Sequence, residues 1–120
     1  MAAGTYDLFI EQGATFRRTL TVKAAGVPIN LTGYTARAQI RSKVADVAVL
    51  HEIDCEVVAG DGGQIVLSIT DEETAAFTWK AGVWDLELET PFTPPASGEV
   101  TRLLKGTVEV DPEVTRPVGP

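Results

Sequence analysis

The sequence contains few of the residue types that reactive sites use. It has one cysteine, Cys55, and one histidine, His51. A single thiol excludes an intrachain disulfide, and nucleophilic catalysis would have to place this one histidine beside a serine, threonine or cysteine. A Cys-His pair on a single strand would be an unusual catalytic arrangement. The sequence therefore predicts a protein that is not an enzyme and has no small-molecule substrate.

The best candidate for a metal site lies in the same segment, where His51, Glu52, Asp54 and Cys55 are neighbours in sequence. All four residue types bind metal ions. If the segment is a strand, however, His51 and Cys55 share one face and the two carboxylates share the other. The four ligands would then not converge, so we expect neither a metal nor a cofactor.

Long apolar runs and excess positive charge are also absent from the sequence. No run approaches the ~20 apolar residues that cross a bilayer, and residues 1–7 lack the cationic and apolar regions of a secretory signal. Ten Lys and Arg against seventeen Asp and Glu give a net charge of −7, which repels phosphate backbones and anionic lipids. We therefore expect no nucleic-acid partner, no membrane partner and no Sec export.

The strongest pattern that is present is the alternation of apolar and polar residues. It runs without a break from Tyr34 to Arg41, after a turn at Gly33, and this is the period of a strand with one buried face. Similar runs recur, most clearly over 83–89. Residues 55–70 predict a hairpin around a glycine-rich turn, and Thr70 and Glu73 have the spacing of a capping box at a helix start.

These segments together predict an all-β fold. Turn signals recur about every ten residues, which is typical of an antiparallel Ig-like β-sandwich, here of about seven to eight strands with one short helical corner. The sandwich is expected to span residues 1–110, and residues 111–120 form an extended proline-rich tail. Arg18 interrupts the apolar face of its run, which predicts an edge, a bulge or a barely covered position there.

Four segments also resemble a family of small structural proteins of tailed bacteriophages. They are DLFIEQGATF (7–16), INLTGYTARAQIR (29–41), AGVWDLEL (81–88) and VTRLLKGTVEVDPEV (100–114). The resemblance spans nearly the whole chain and extends, more distantly, to the N-terminal β-sandwich adaptor of phage baseplate proteins. It implies a virion structural protein of the tail, baseplate or fibre-attachment assembly, which is assembled in the host cytoplasm. The implied partners are other virion subunits and further copies of the same chain.

Two other functions remain open at this point. A capsid decoration protein would also be small and acidic. A carbohydrate-binding module on the particle surface would need exposed aromatic rings for stacking. Alternation places Tyr34 and Trp84 on the buried side of their strands, whereas Trp79 and Phe92 fall in a corner and a loop.

Candidate interface residues come from the loops, the tail and one strand face. If the strands that carry Tyr34 and Trp84 are neighbours, Arg37 and Arg41 should meet Glu87 and Glu89 and present a surface of alternating charge. The extended tail should lose little entropy on docking. The predicted partner-interface residues are Trp79, Phe92, Arg37, Arg41, Pro112, Val114 and Arg116.

Overall fold

A computed structural model of the chain describes residues 4–91 and 98–115. Two of the predicted interface residues, Phe92 and Arg116, lie outside the described residues. The predicted tail is described only as far as Thr115, so its boundaries stay a prediction.

The described residues form short strands and one helix. The strands are β1 (Gly4–Thr5), β2 (Leu8–Glu11), β3 (Phe16–Thr21), β4 (Lys23–Ala24), β5 (Val27–Pro28), β6 (Thr35–Arg41), β7 (His51–Val57), β8 (Gln64–Ile69), β9 (Ala81–Glu89) and β10 (Val100–Asp111), and the helix is α1 (Asp71–Ala75). Strands β4 and β5 form a separate ribbon, and the other eight belong to one folded sheet.

The order of strands along this sheet is β1-β10-β9-β6-β7-β8-β3, and β2 also pairs with β10. Strand β7 makes the corner, because its first residues pair with β6 and its last four pair with β8. Two layers result. One contains β6, β9 and β10 in the positions of Ig strands C, F and G, and the other contains β3, β8 and β7 in the positions of B, E and D. The all-β, Ig-like prediction is confirmed.

The ladders are antiparallel except at the N-terminus, where β1 and β2 run parallel to β10. The chain between them approaches β10 closely at Gly106, where an added Cβ would lie 2.2 Å from the carbonyl oxygen of Tyr6. The sequence analysis did not anticipate this parallel pairing. Its cause is a long-range contact that strand periodicity does not report.

The interior follows the predicted alternation. Ala38 and Ile40 of β6 are buried, as are Trp84, Leu86 and Leu88 of β9. They belong to one continuous cluster that both layers share. Burying such aliphatic side chains stabilises the fold by about 1.5–3 kcal/mol each.

The hairpin and the helical corner are where the sequence predicts them. Val57 pairs with Ile65 across the 58–63 turn, and the turn needs glycine because Gly60 and Gly63 both have positive φ. Thr70 caps α1 in a complete capping box with Glu73. The helix ends at Ala75.

Candidate attachment face

The outward side chains of β6, β9 and β10 form a surface that we call the charged face. Strand β6 contributes Arg37 and Arg41, β9 contributes Asp85, Glu87 and Glu89, and β10 contributes Arg102 and Lys105. The acidic strand lies between the two basic ones, because β9 pairs with β6 on one side and β10 on the other. The surface therefore presents a negative stripe that is flanked by two positive stripes.

The register brings one predicted ion pair together and separates the other. Arg37 lies opposite Glu87, and its Nε is 2.7 Å from Oε1 of Glu87, as predicted. The predicted pairing of Arg41 with Glu89 is wrong. Because β6 and β9 run antiparallel, Arg41 lies opposite Val83, and Glu89 lies opposite Thr35. Arg41 instead donates hydrogen bonds to the Asp46 carbonyl at 2.7 Å and to the Gln39 side chain at 2.9 Å.

Charges on this face interact while they stay at least partly exposed to water. The side chain of Arg37 is 66% exposed, and its hydrogen bond and charge interaction with Glu87 raise its pKa. Arg102 lies 3.9 Å from Asp85, whose pKa is raised mainly by partial burial and then by repulsion from Glu87. Exposed pairs of this kind contribute little to stability. The charged stripes therefore contribute little to the stability of the fold, and their side chains remain accessible to a neighbouring subunit.

A groove of about 760 Å³ crosses the charged face. Its floor includes Arg37, Asp85 and Arg102, and Val44 from the 42–50 loop reaches its rim. The side chain of Val44 is 83% exposed, and that of Val47 in the same loop is 90% exposed. A loop with two exposed valines therefore lies beside a charged, concave surface, and a polar surface beside a small apolar patch is what protein interfaces present.

The other predicted interface residues do not lie on this face. Trp79 is half-buried and packs on Phe77, with ring centroids 4.7 Å apart. Pro112 and Val114 are exposed beyond β10. The backbone between them is attached to the domain, because the Glu113 N–H donates to the Gln12 side chain at 2.8 Å.

The histidine and the cysteine share one side of β7, as the alternation predicts. His51 packs edge-on against Phe77, and its Nε2 lies 3.8 Å from Glu73. Partial burial, with a smaller contribution from the Asp54 charge, raises the pKa of the Cys55 thiol to about 11, so it is a poor nucleophile at neutral pH. Across residues 4–91 and 98–115, no three His, Cys, Asp or Glu side chains lie close enough together to hold a metal ion.

Arg102 and Lys105 belong to the charged face, but the sequence analysis did not select them. A β-bulge between Arg102 and Leu104 shifts the register of β10. The consecutive pair Leu103-Leu104 breaks the two-residue period there, so alternation could not assign faces. That break is itself the signal of a bulge that could have been used.

The similarity of this chain to known proteins lies in its structure. No protein-family model matches it, and no curated protein matches it. Among solved structures, it is similar to an extracellular domain of the voltage-gated sodium channel beta4 subunit, described as a parallel homodimer with a role in cell-cell adhesion. That similarity has a TM-score of 0.43 and 7% sequence identity, and it covers 95% of this chain and 97% of that one. In the described part of the chain, no helix is both long enough and apolar enough to span a bilayer.

Proposed function

We propose that this chain is a non-enzymatic structural protein of a bacteriophage virion, a subunit of the tail, baseplate or fibre-attachment assembly. The observation that carries the proposal is the charged face with its apolar rim. It is an ordered and exposed surface whose charges do little for the fold, as expected of a surface that a neighbouring subunit covers. The sequence resemblance to small tailed-phage proteins supplies the kind of particle.

The stripe pattern also defines how the face would recognise its neighbour. A neighbouring surface must place acidic groups over Arg37 and over Arg102, and a basic group over Glu87 between them. Complementarity of this kind selects partner and orientation more than it adds affinity. Val44 and Val47 would then supply the apolar contact at one border.

The tail beyond β10 offers a second contact. Val114 is 90% exposed, and the Gln12–Glu113 hydrogen bond attaches the backbone just before it to the domain. We propose that this segment is an arm that docks on a neighbouring subunit. A chain that ends at Asp111 should still fold but be incorporated into particles at a lower copy number.

The experiment that tests the charged face is incorporation of a charge-reversed chain into particles. Arg102→Glu with Lys105→Glu reverses one positive stripe. Lys23→Glu with Lys80→Glu makes the same change in net charge at exposed positions off the face. Copy number in purified particles, measured by quantitative mass spectrometry, should fall severalfold for the first variant and stay unchanged for the second. Equal incorporation of both variants, each shown to be folded, would contradict the proposal.

The carbohydrate-binding alternative has less support from the described residues. Trp84 is buried, and Tyr34 and Trp79 are partly buried against the core, so these rings form no open stacking surface. Phe92 lies outside the described residues. Trp fluorescence that responds to a panel of host glycans would favour that alternative over ours. Capsid decoration uses the same attachment chemistry, and locating the protein on purified heads or tails would separate the two.

A further inference from the structure

Among the residues that the structure describes, one edge of the second layer has no strand beside it. Strand β3 is the last in the order of the main sheet and pairs only with β8. In Ig-like sandwiches of the constant type, the N-terminal strand A completes this layer. Here β1 and β2 pair with β10 instead, so the position next to β3 is left open along all six of its residues.

Two arginines lie on this open edge. Arg17 points away from the core, and Arg18 points to the core-facing side, where the neighbouring positions are the buried Phe16 and the half-buried Leu20. Both arginines are exposed. Among the residues that the structure describes, neither has a carboxylate within ion-pair distance, in a chain whose net charge is −7. The Arg18 guanidinium lies 4.6 Å from the Phe16 ring centroid and donates to the Arg17 carbonyl at 2.8 Å.

These arginines disfavour pairing between two copies of β3. A two-fold edge-to-edge pairing that keeps both core faces on one side would place Arg18 directly opposite Arg18 of the second copy in the register that pairs Phe16 with Leu20. A shift of two residues in either direction makes the same pair diagonal neighbours. Like charges at such positions are destabilising, and an inward-pointing charge is a known device against edge aggregation.

The same positions favour an acidic strand. We propose that the open edge of β3 receives an extended acidic segment of a different protein chain, by β-strand addition. Because Arg17 and Arg18 are consecutive, they lie on opposite faces of the sheet. The entering strand therefore needs two consecutive carboxylates, one for each face, and uncharged β-forming residues on either side of them.

Only the source of the strand, a neighbouring virion subunit, rests on the proposed function. The binding itself can be measured on the isolated chain, so failure of this proposal and failure of virion incorporation are separate results. Binding at β3 without incorporation would retain the edge site and reject the virion role. Incorporation without binding at β3 would retain the virion role and reject the edge site.

The test uses two capped octapeptides of alternating threonine and valine, one with two glutamates at its centre and one with two lysines there. Amide chemical shifts and hydrogen exchange of the full chain locate the binding. The glutamate peptide should slow exchange of the β3 amides and bind less tightly as salt is raised. The lysine peptide should leave those amides unchanged.

Three variants complete the test. Arg17→Gln and Arg18→Gln should each weaken binding of the glutamate peptide by roughly fivefold, since an opposite-charge pair across two strands contributes at most about that factor. Arg102→Gln removes the same charge from the charged face and should have no effect. Equal response to both peptides, shifts on β6, β9 and β10 instead of β3, or dimerisation of the unmodified chain through β3 would each overturn the proposal.

Discussion

The indole N–H of Trp84 donates to the carbonyl oxygen of Tyr6 at 2.7 Å, and the two rings meet edge to face with centroids 6.4 Å apart. This contact connects the centre of β9 to the segment between β1 and β2. Since the Tyr6 N–H also donates to Lys105 at 2.9 Å, Tyr6 is held by both strands. The pair thus fixes the parallel N-terminal strands along β10.

Removing the indole donor should destabilise the fold. Trp84→Phe keeps an aromatic ring but leaves the Tyr6 carbonyl without this donor in a partly buried place, and the smaller ring leaves a cavity. We expect a loss of about 2–4 kcal/mol in the free energy of unfolding, measured by urea denaturation. Trp79→Phe alters a half-buried ring with no such bond and should cost less. An equal loss for both would contradict the assigned role of the bond.

A second long-range connection passes through Thr74, which is completely buried. Its hydroxyl accepts a hydrogen bond from the Gly13 N–H at 3.0 Å and donates to the Ala14 carbonyl at 2.9 Å. Thr74→Val keeps the shape and removes both bonds, so we expect a loss of about 1–3 kcal/mol. Thr78→Val, at an exposed position, should change the unfolding free energy by less than about 0.5 kcal/mol.

The capping box of α1 should make stability depend on pH. A hydrogen bond from the Thr70 backbone, with a smaller contribution from its hydroxyl, lowers the pKa of Glu73 below its ordinary value. A lowered carboxyl pKa contributes stability above the unfolded value of 4.5, and that stability is lost as pH falls through the lower folded value. Glu73→Gln should therefore reduce the slope of stability against pH below this value. An unchanged slope would show that the carboxylate is not held by the cap.

The hydroxyl of Thr70 makes the other half of the cap. It accepts a hydrogen bond from the Glu73 N–H at 3.2 Å. Thr70→Ala should cost about 1 kcal/mol in the free energy of unfolding, measured by thermal denaturation at neutral pH. Glu72→Ala in the same first turn, which takes no part in the cap, is the control and should cost markedly less.

The Cys55 thiol should react slowly and destabilise the fold at high pH. Its pKa of about 11 in the fold lies above the ordinary value of 9.0, so the unfolded chain loses this proton first. Stability should fall as pH rises from 9 towards 11, and Cys55→Ala should lose less over that range. Rapid alkylation of the folded chain by iodoacetamide at pH 7.5 would contradict the buried, protonated thiol.

Strand identity and strand faces could be predicted from sequence, because a strand with one buried side must alternate. The inward positions of β6 and β9 were predicted in this way, and so were the hairpin of β7 with β8 and the capping box. For Arg18 the sequence left an edge, a bulge or a barely covered position open, and the structure places it on the edge strand β3. The Arg37–Glu87 pair followed once β6 and β9 were assumed to be neighbours.

Register and bulges could not be predicted in the same way. Alternation does not say which residue lies opposite which, so Arg41 was matched with Glu89 although it lies opposite Val83. The parallel pairing of β1 and β2 with β10 depends on tertiary contacts such as Tyr6 with Trp84. Because of the bulge between Arg102 and Leu104, alternation did not show that Arg102 and Lys105 lie on the charged face.

The central claim is that the charged face of β6, β9 and β10 is where this chain attaches to a particle. An imaging reconstruction of the intact tailed-phage particle, with this chain assigned in the density, tests it most directly. We expect Arg37, Glu87 and Arg102 to be covered by a neighbouring subunit that presents charges of the opposite sign. A chain that sits in the particle with this face open to solvent, or that is absent from the particle altogether, would contradict the account.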